Sequence, residues 1–435
     1  MSGDAAPAGP AAALNRRSIF AWALYDFGSS AFTTLVVTFI FSVYFTRRIA
    51  TDPQHGTVLW TRAVNISAFV VAMVTPVLGA IADFTSRKKL FLLICTLQCS
   101  ICTALLFFVS TGTTTRALIL FVLANIAFEA SSVFYNAFLP EISTRDNIGR
   151  ISGMGWALGY SGGLLCLVVA LGMIRGWLPQ TNDLHIRSTN LLVALWVALF
   201  SIPFFLFIKE KPAERTGSIA ALTVEGFRRI AATLGHLRTY REAAKLLLAR
   251  LIYNDGLVTV FAFASIFAAA VFGLETDEII IMGIAINVVA GIGAFSLGFL
   301  NDRIGGKRTI AITLIVLIIA AAIGATAANR TIFWVAAMIL GFMVGPNQSA
   351  SRSLLGLFIP QDKDAEFFGF FSFSGRLASI AGPFVYGTVL SSSGSQRWAM
   401  ASIIPFFIVG LIVLSFVDEK KGMELVRQVP AQLQE

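Results

Sequence analysis

Apolar runs of about 20 residues, separated by short polar or charged turns, recur along nearly the whole chain. A helix of about that length crosses the hydrocarbon core of a bilayer. The pattern predicts twelve membrane-spanning helices, at 19–45, 63–82, 90–110, 117–138, 150–174, 190–208, 247–272, 279–300, 309–327, 331–350, 366–390 and 397–417. The predicted fold class is therefore an all-α membrane protein.

One long polar connection divides these runs into two groups of six. Within it, Leu222, Phe227, Ile230, Leu234 and Leu237 approximate one face of a helix that basic residues surround, which favours an amphipathic helix lying on anionic lipid. The predicted organisation is a cytoplasmic N-terminal tail (1–18), an N-terminal six-helix bundle (19–208), a cytoplasmic linker (209–246), a C-terminal six-helix bundle (247–417) and a cytoplasmic C-terminal tail (418–435).

The charge distribution orients the predicted helices. If the N-terminus is cytoplasmic, the inner segments and span ends on that side contain 24 Lys and Arg residues and those on the outer side 8, and Arg376 is left within a span. The positive-inside rule then places both termini in the cytoplasm. The expected location is the plasma (inner) membrane. The net charge of +9 is explained by this topology, so we expect no nucleic-acid partner.

The reactive side chains of the sequence do not indicate an enzyme. All four cysteines lie in apolar runs, no cluster of metal-ligating residues is evident, and zinc-protease and phosphate-loop motifs are missing. We therefore expect no cofactor and no metal. The expected partners are a small-molecule substrate, the lipid bilayer and protons. We expect the protein to be a monomer.

An internal repeat at an offset of 219 residues relates the two groups of helices. The loop after the second span and the loop after the eighth share a glycine, an aspartate and a basic pair. The matching positions are Gly79 with Gly298, Asp83 with Asp302, Lys88 with Lys307, and Lys89 with Arg308. Such a loop can cap a helix end and pair with the neighbouring bundle, so we expect a conformational clasp that stabilises the outward-open state.

The same glycine, aspartate and basic loop resembles the signature of the major facilitator superfamily. Further stretches resemble its vacuole effluxer-like (autophagy-related effluxer) branch, in a bacterial-type member: WALYDFGSSAF at 22–32, FYNAFLPEI at 134–142, ISGMGWALGYSGG at 151–163, GPNQSASRSL at 345–354 and EFFGFFSFSG at 366–375. The resemblance implies two six-helix bundles that rock around a central cavity. It also implies transport activity, because fungal members of this branch export amino acids from the vacuole.

Charge inside a predicted span is costly and marks candidate functional sites, and four charged residues stand out: Asp26, Glu129, Asp255 and Arg376. No histidine lies in a span, so any proton coupling requires one of the three carboxylates. Each carboxylate could instead be a buried ion pair or a helix cap. Arg376 could bind the carboxylate of a substrate or an internal partner such as Glu129.

Polar and aromatic residues in the spans supply the remainder of a candidate substrate site, although bonding between helices could explain each one alone. The candidates are Tyr25, Asn125, Tyr135, Asn136, Trp156, Tyr160, Tyr253, Asn254 and Asn347, together with Asp26, Glu129 and Arg376. The function that these features favour is secondary active transport of a small polar solute, an amino acid or an organic anion, by alternating access and with proton coupling. The alternatives are a transporter of sugars or drug-like compounds, and a membrane sensor or channel without a transport cycle.

Overall fold

The structure, a computed structural model, describes residues 16–50, 52–210, 228, 240–360 and 363–424. These residues are almost entirely helical and contain no strand. The predicted amphipathic helix of the linker lies outside the described residues. The all-α fold expected from the apolar pattern is therefore confirmed for the part of the chain that is described.

The described residues of the first half form eight α-helices. They are α1 (Arg16–Ala31), α2 (Phe41–Tyr44), α3 (Pro53–Thr85), α4 (Lys88–Leu105), α5 (Thr114–Ala137), α6 (Leu139–Ile142), α7 (Ile148–Gly172) and α8 (Leu184–Phe207). The π-helical segments Phe32–Phe39 and Phe45–Ile49 join α1 and α2 into one long span, and Met173–Trp177 extends α7.

The second half also contains eight helices in the described residues. They are α9 (Arg241–Phe272), α10 (Thr276–Ile304), α11 (Gly306–Thr326), α12 (Arg330–Leu357), α13 (Asp364–Leu377), α14 (Ala381–Ser393), α15 (Gln396–Ala401) and α16 (Ile404–Ser415). Helix α9 begins inside the stretch predicted as linker, and α12 continues seven residues beyond the predicted end of the tenth span, 331–350.

Eleven helical segments of the described chain are long and apolar enough to cross a membrane. The exception is the eleventh predicted span, 366–390, which is divided into α13 and α14 by a break at 378–380. Pro383 explains the position of the break, because its ring nitrogen cannot donate to the carbonyl of residue 379 and is tolerated only in the first turn of a helix. The eleventh predicted span therefore consists of two helices, α13 and α14.

The two halves meet through two pairs of closely packed helices, α3 with α13 and α7 with α10. Glycines allow this approach. A Cβ atom on Gly79 would lie 2.2 Å from the carbonyl oxygen of Ala365, and one on Gly153 would lie 2.3 Å from that of Ala294. The repeat predicted from the sequence is thus visible as a pair of equivalent contacts.

Contact between the halves is concentrated at one end of the bundle. We call the end that carries Asp83 and Asp302 the closed side, and the opposite end the open side. On the open side, α14 packs mainly on α9 and α15 of its own half, and the end of the first span packs on helices of the first half. The structure therefore describes a helical bundle whose two halves are held together most closely at the closed side.

Candidate functional site

Two aspartates hold the closed side together. The Asp83 carboxylate accepts hydrogen bonds from the backbone N–H groups of Ala365 (3.1 Å) and Glu366 (2.8 Å), at the start of α13. The Asp302 carboxylate accepts them from Gly149 (2.7 Å) and Arg150 (3.2 Å), at the start of α7. Each carboxylate neutralises the positive end of a helix that belongs to the other half.

The basic residues of the two repeats behave differently. Lys88 is buried and its Nζ lies 2.6 Å from Glu141, 3.1 Å from Asp364 and 3.7 Å from Asp83. Lys307 instead donates to the backbone carbonyl of Ser415 at 2.8 Å. Arg308 forms no ion pair with Asp302 in the described part of the chain. The structure therefore brings Lys88, and neither Lys307 nor Arg308, into the clasp.

The C-terminal segment adds a contact that the sequence analysis missed. Glu419 accepts hydrogen bonds from the backbone N–H groups of Gly306 (2.9 Å) and Lys307 (3.2 Å), at the start of α11. Arg145 of the first half donates to the carbonyl of Met423 at 3.0 Å. Glu210 takes the equivalent place in the first half, where it accepts from the N–H of Lys89 at 3.0 Å, and burial raises the pKa of its carboxyl.

Weakening the clasp should shift the protein toward the state in which the closed side opens. Asp83→Asn removes the charge from two hydrogen bonds, each worth about 1.5–3 kcal/mol when one partner is ionised, so we expect about a tenfold rise in the population of the opened form. The distance between spin labels attached at the exposed positions Arg87 and Arg303 reports this opening. The matched control is Asp146→Asn, an exposed carboxylate on the same side. Equal distance distributions for Asp83→Asn and the wild type would contradict the role of the clasp.

A deeper contact between the halves is made by Arg352, which lies two residues beyond the predicted end of the tenth span. It lies in α12 with 3% of its surface exposed. Its guanidinium donates to the Ser152 hydroxyl (2.9 Å), the Ser152 carbonyl (2.7 Å) and the Asn136 side-chain oxygen (3.1 Å). It also lies 3.8 Å from Asp26. Arg376 is therefore not the sole basic residue inside the bundle, and that expectation was wrong.

Aromatic rings surround the same guanidinium. Arg352 lies 4.9 Å from the ring of Trp22, which stacks on Tyr135 at 4.5 Å. Tyr25 stacks on the other side at 5.2 Å from Tyr135, and its hydroxyl bonds to Thr96. Trp156 is half-buried near Arg352, at 5.7 Å. Cation–π contact of this kind stabilises a desolvated arginine.

The structure joins the other two charged residues that the sequence had singled out. Arg376, near the end of α13, forms an ion pair with Glu129 of α5. The pair crosses between the halves. It is incompletely buried, since the exposed fraction of the side chain is 32% for Arg376 and 14% for Glu129. Because the Arg376 side chain keeps about a third of its surface exposed, this pair is a charged group that a solute can reach.

Four other candidates are engaged in contacts between or within helices of the second half. Asp255 is buried and caps the start of α14 through Ala381 and Gly382. The remaining contacts are Tyr253 to Ser351 (2.7 Å), Asn254 to Gln348 (2.7 Å) and Asn347 to Thr313 (3.0 Å). Of the alternatives left open for these residues, the structure supports bonding between helices.

The remaining candidates differ in their access to the space between the halves. Asn125 is buried in α5, whereas Tyr160 is half-buried and faces Gly291 of the other half. Gly155 and Gly159 face Trp22 and Asp26 of α1 in their own half, whereas Gly153 faces α10 of the other half. No group of three metal-ligating side chains occurs among the described residues.

Comparisons with known proteins agree with this architecture. A family model described as "Vacuole effluxer Atg22 like" matches residues 54–426. An uncharacterized MFS-type transporter of Bacillus subtilis, YxiO, is 27% identical over 420 residues, which cover 94% of this chain and 96% of that protein. Autophagy-related protein 22 of Yarrowia lipolytica is 24% identical over 69% of this chain, which spans about half the length of that relative (55%).

Solved structures show the same fold at low sequence identity. The human organic anion transporter MFSD10 (TETRAN) superposes with a TM-score of 0.73 and 14% identity, over 92% of this chain and 99% of that one. FucP, a major facilitator superfamily transporter in the outward conformation, superposes with a TM-score of 0.72 and 14% identity, over 93% of this chain and 100% of that one. The chain therefore belongs to the vacuole effluxer Atg22-like family of the major facilitator superfamily.

Proposed function

We propose that this transporter moves a small solute that carries a carboxylate, an amino acid or an organic anion, by alternating access with proton coupling. The observation that carries the proposal is the ion pair between Arg376 and Glu129, which joins the two halves and is incompletely buried. A planar guanidinium binds a carboxylate through two parallel hydrogen bonds. A substrate carboxylate can therefore take the place of the Glu129 carboxylate on Arg376.

The exchange of partners on Arg376 couples the substrate to a proton. In the resting pair, Glu129 neutralises Arg376. When Glu129 takes up a proton, Arg376 is left without a counter-charge and attracts an anionic group. Substrate and proton then bind together, and each increases the affinity for the other. Asp26 and Arg352 form a second pair between the halves, at 3.8 Å, which we propose changes partners during the same cycle.

The orientation of the cycle follows from the distribution of Lys and Arg. The positive-inside rule assigns the closed side, with both termini, to the cytoplasm. The described conformation is then open to the outside, and the clasp contacts of Asp83 and Asp302 must break before the solute is released inward. We assign the protein to the inner membrane of a bacterium. We also propose that it acts as a monomer, since each half of one chain supplies one partner of every pair in the proposed site.

The relatives support a transport function but do not identify the substrate. The substrate class is inferred from the chemistry of the site. The Bacillus subtilis relative is described only as an MFS-type transporter, and the structural neighbours share the fold alone. Arg376 therefore carries the argument for a carboxylate. Sugars and drug-like compounds, which need no such partner, are the competing substrate classes.

A ligand-stabilisation screen tests the proposal. Purified protein is heated with panels of amino acids, organic acids, peptides, sugars and neutral amides of the same acids, and the unfolding temperature is measured. We expect stabilisation by at least one carboxylate and none by its neutral amide, because a ligand that binds the folded state alone raises stability. Stabilisation by sugars or neutral compounds, with none by carboxylates, would contradict the substrate class.

A further inference from the structure

Helix α9 contacts both pieces of the broken span, one on each side of the break. Arg250 and Asp255 of α9 are buried, with exposed fractions of 7% and 4%. Arg250 contacts α13, and Asp255 contacts α14. Neither residue pairs with an ion of opposite charge among the described residues, and each directs side-chain hydrogen bonds to span eleven.

Asp255 replaces acceptors that an unbroken helix would have supplied itself. Its two carboxylate oxygens accept hydrogen bonds from the backbone N–H groups of Ala381 (3.1 Å) and Gly382 (2.8 Å). In a continuous helix these groups would donate to the carbonyls of residues 377 and 378. Gly382 permits the close approach, because a Cβ atom there would lie 2.0 Å from the Thr259 hydroxyl. The carboxylate therefore stabilises the broken form of the span.

Arg250 fixes the other piece at its final turns. Its guanidinium donates to the carbonyl of Phe371 (2.9 Å) and to the hydroxyl of Ser374 (3.0 Å). It also lies 3.5 Å from the centre of the Phe371 ring. Arg376 follows Ser374 by two residues, so the same contacts fix the rotation of the turn from which the Arg376 side chain extends.

We propose that Arg250 and Asp255 are positioning residues that keep span eleven broken at 378–380 and thereby hold Arg376 against Glu129. The break begins two residues after Arg376, so a change in the direction of the span there acts on the end of α13 that carries this side chain. The effect of these residues on substrate binding rests on the proposed function. Their effect on the position of Arg376 does not depend on it.

Cross-linking tests that geometry without a known substrate. In a background in which Cys95, Cys99, Cys102 and Cys166 are replaced by serine, one cysteine pair replaces Glu129 and Arg376. A second pair replaces Asn136 and Arg352, which also joins the halves but does not involve span eleven. The rate of bridging by a bifunctional thiol reagent is measured for both pairs, with and without Asp255→Asn. The matched control is Glu242→Gln, a buried carboxylate of α9 that caps the segment at Asp418 instead.

We expect Asp255→Asn and Arg250→Lys to slow bridging of the first pair about tenfold and to leave the second unchanged, because each variant weakens a hydrogen bond to a charged group. Glu242→Gln should change neither rate. Unchanged bridging of the first pair, or equal slowing of both pairs, would overturn the proposal.

Hydrogen exchange of the wild-type protein provides a measurement that does not depend on folding of the variants. The amides of Ala381 and Gly382 should be protected as strongly as those inside α14, and rapid exchange there would also overturn the proposal.

If Arg376→Lys leaves transport intact while the Asp255 variant slows bridging, the proposed function fails and the positioning role stands.

Discussion

Arg376→Lys is expected to reduce substrate affinity and uptake by about ten- to one-hundredfold while the protein remains folded. Lysine keeps the charge but cannot form two parallel hydrogen bonds with a carboxylate, and hydrogen bonds to charged groups are worth about 1.5–3 kcal/mol each. Arg376 carries the argument for the substrate class, so this substitution has the largest predicted effect. Initial uptake rates in proteoliposomes and ligand-induced stabilisation measure it.

The matched control for this substitution is Arg330→Lys. Arg330 also pairs with a glutamate, Glu278, at 3.4 Å, but half of its side chain is exposed at the start of α12. A surface pair of this kind contributes about 0–1 kcal/mol, so the control should transport like the wild type. If both lysine variants retain wild-type affinity, Arg376 does not bind the substrate.

Glu129→Gln is expected to separate binding from proton coupling. The amide is a neutral side chain of the same shape as the protonated carboxyl, so Arg376 is permanently released for a substrate carboxylate. We expect exchange of internal for external substrate to continue, with an affinity that no longer depends on pH. Accumulation driven by an imposed pH gradient should be lost.

The wild type supplies the comparison for that variant. Because substrate and proton bind together in the proposed cycle, wild-type affinity should increase as pH falls. Glu278→Gln, from the surface pair, should preserve this pH dependence. A Glu129→Gln protein that still accumulates substrate in response to a pH gradient would remove Glu129 from the coupling mechanism.

The features that the sequence predicted well are those encoded by periodic or repeated patterns. Apolar runs predict spans because every backbone polar group in lipid must be satisfied inside a helix. The repeat of Gly79 and Asp83 at Gly298 and Asp302 predicted a clasp, and both aspartates do cap helices of the opposite half. The ion pair between Glu129 and Arg376 was one of two interpretations, since both residues were charged and central.

The features that were missed depend on contacts between distant segments. Arg352 lies among small polar residues, and the predicted span was ended before it, although the apolar sequence Leu354-Leu355 continues the helix. Its partners Ser152 and Asn136 are about 200 residues away. The break after Leu377 requires Pro383, which the sequence shows, and a carboxylate from α9, which it does not. Tertiary contacts decide such positions.

Substrate exchange in proteoliposomes tests the central claim most directly. Vesicles containing the purified protein are loaded with the carboxylate that stabilises it best, and uptake of the same labelled compound is followed as its concentration rises. Alternating access predicts uptake that saturates, that is faster in loaded than in empty vesicles, and that is lost in Arg376→Lys. Uptake that rises linearly with concentration and is indifferent to internal substrate would contradict a transport cycle.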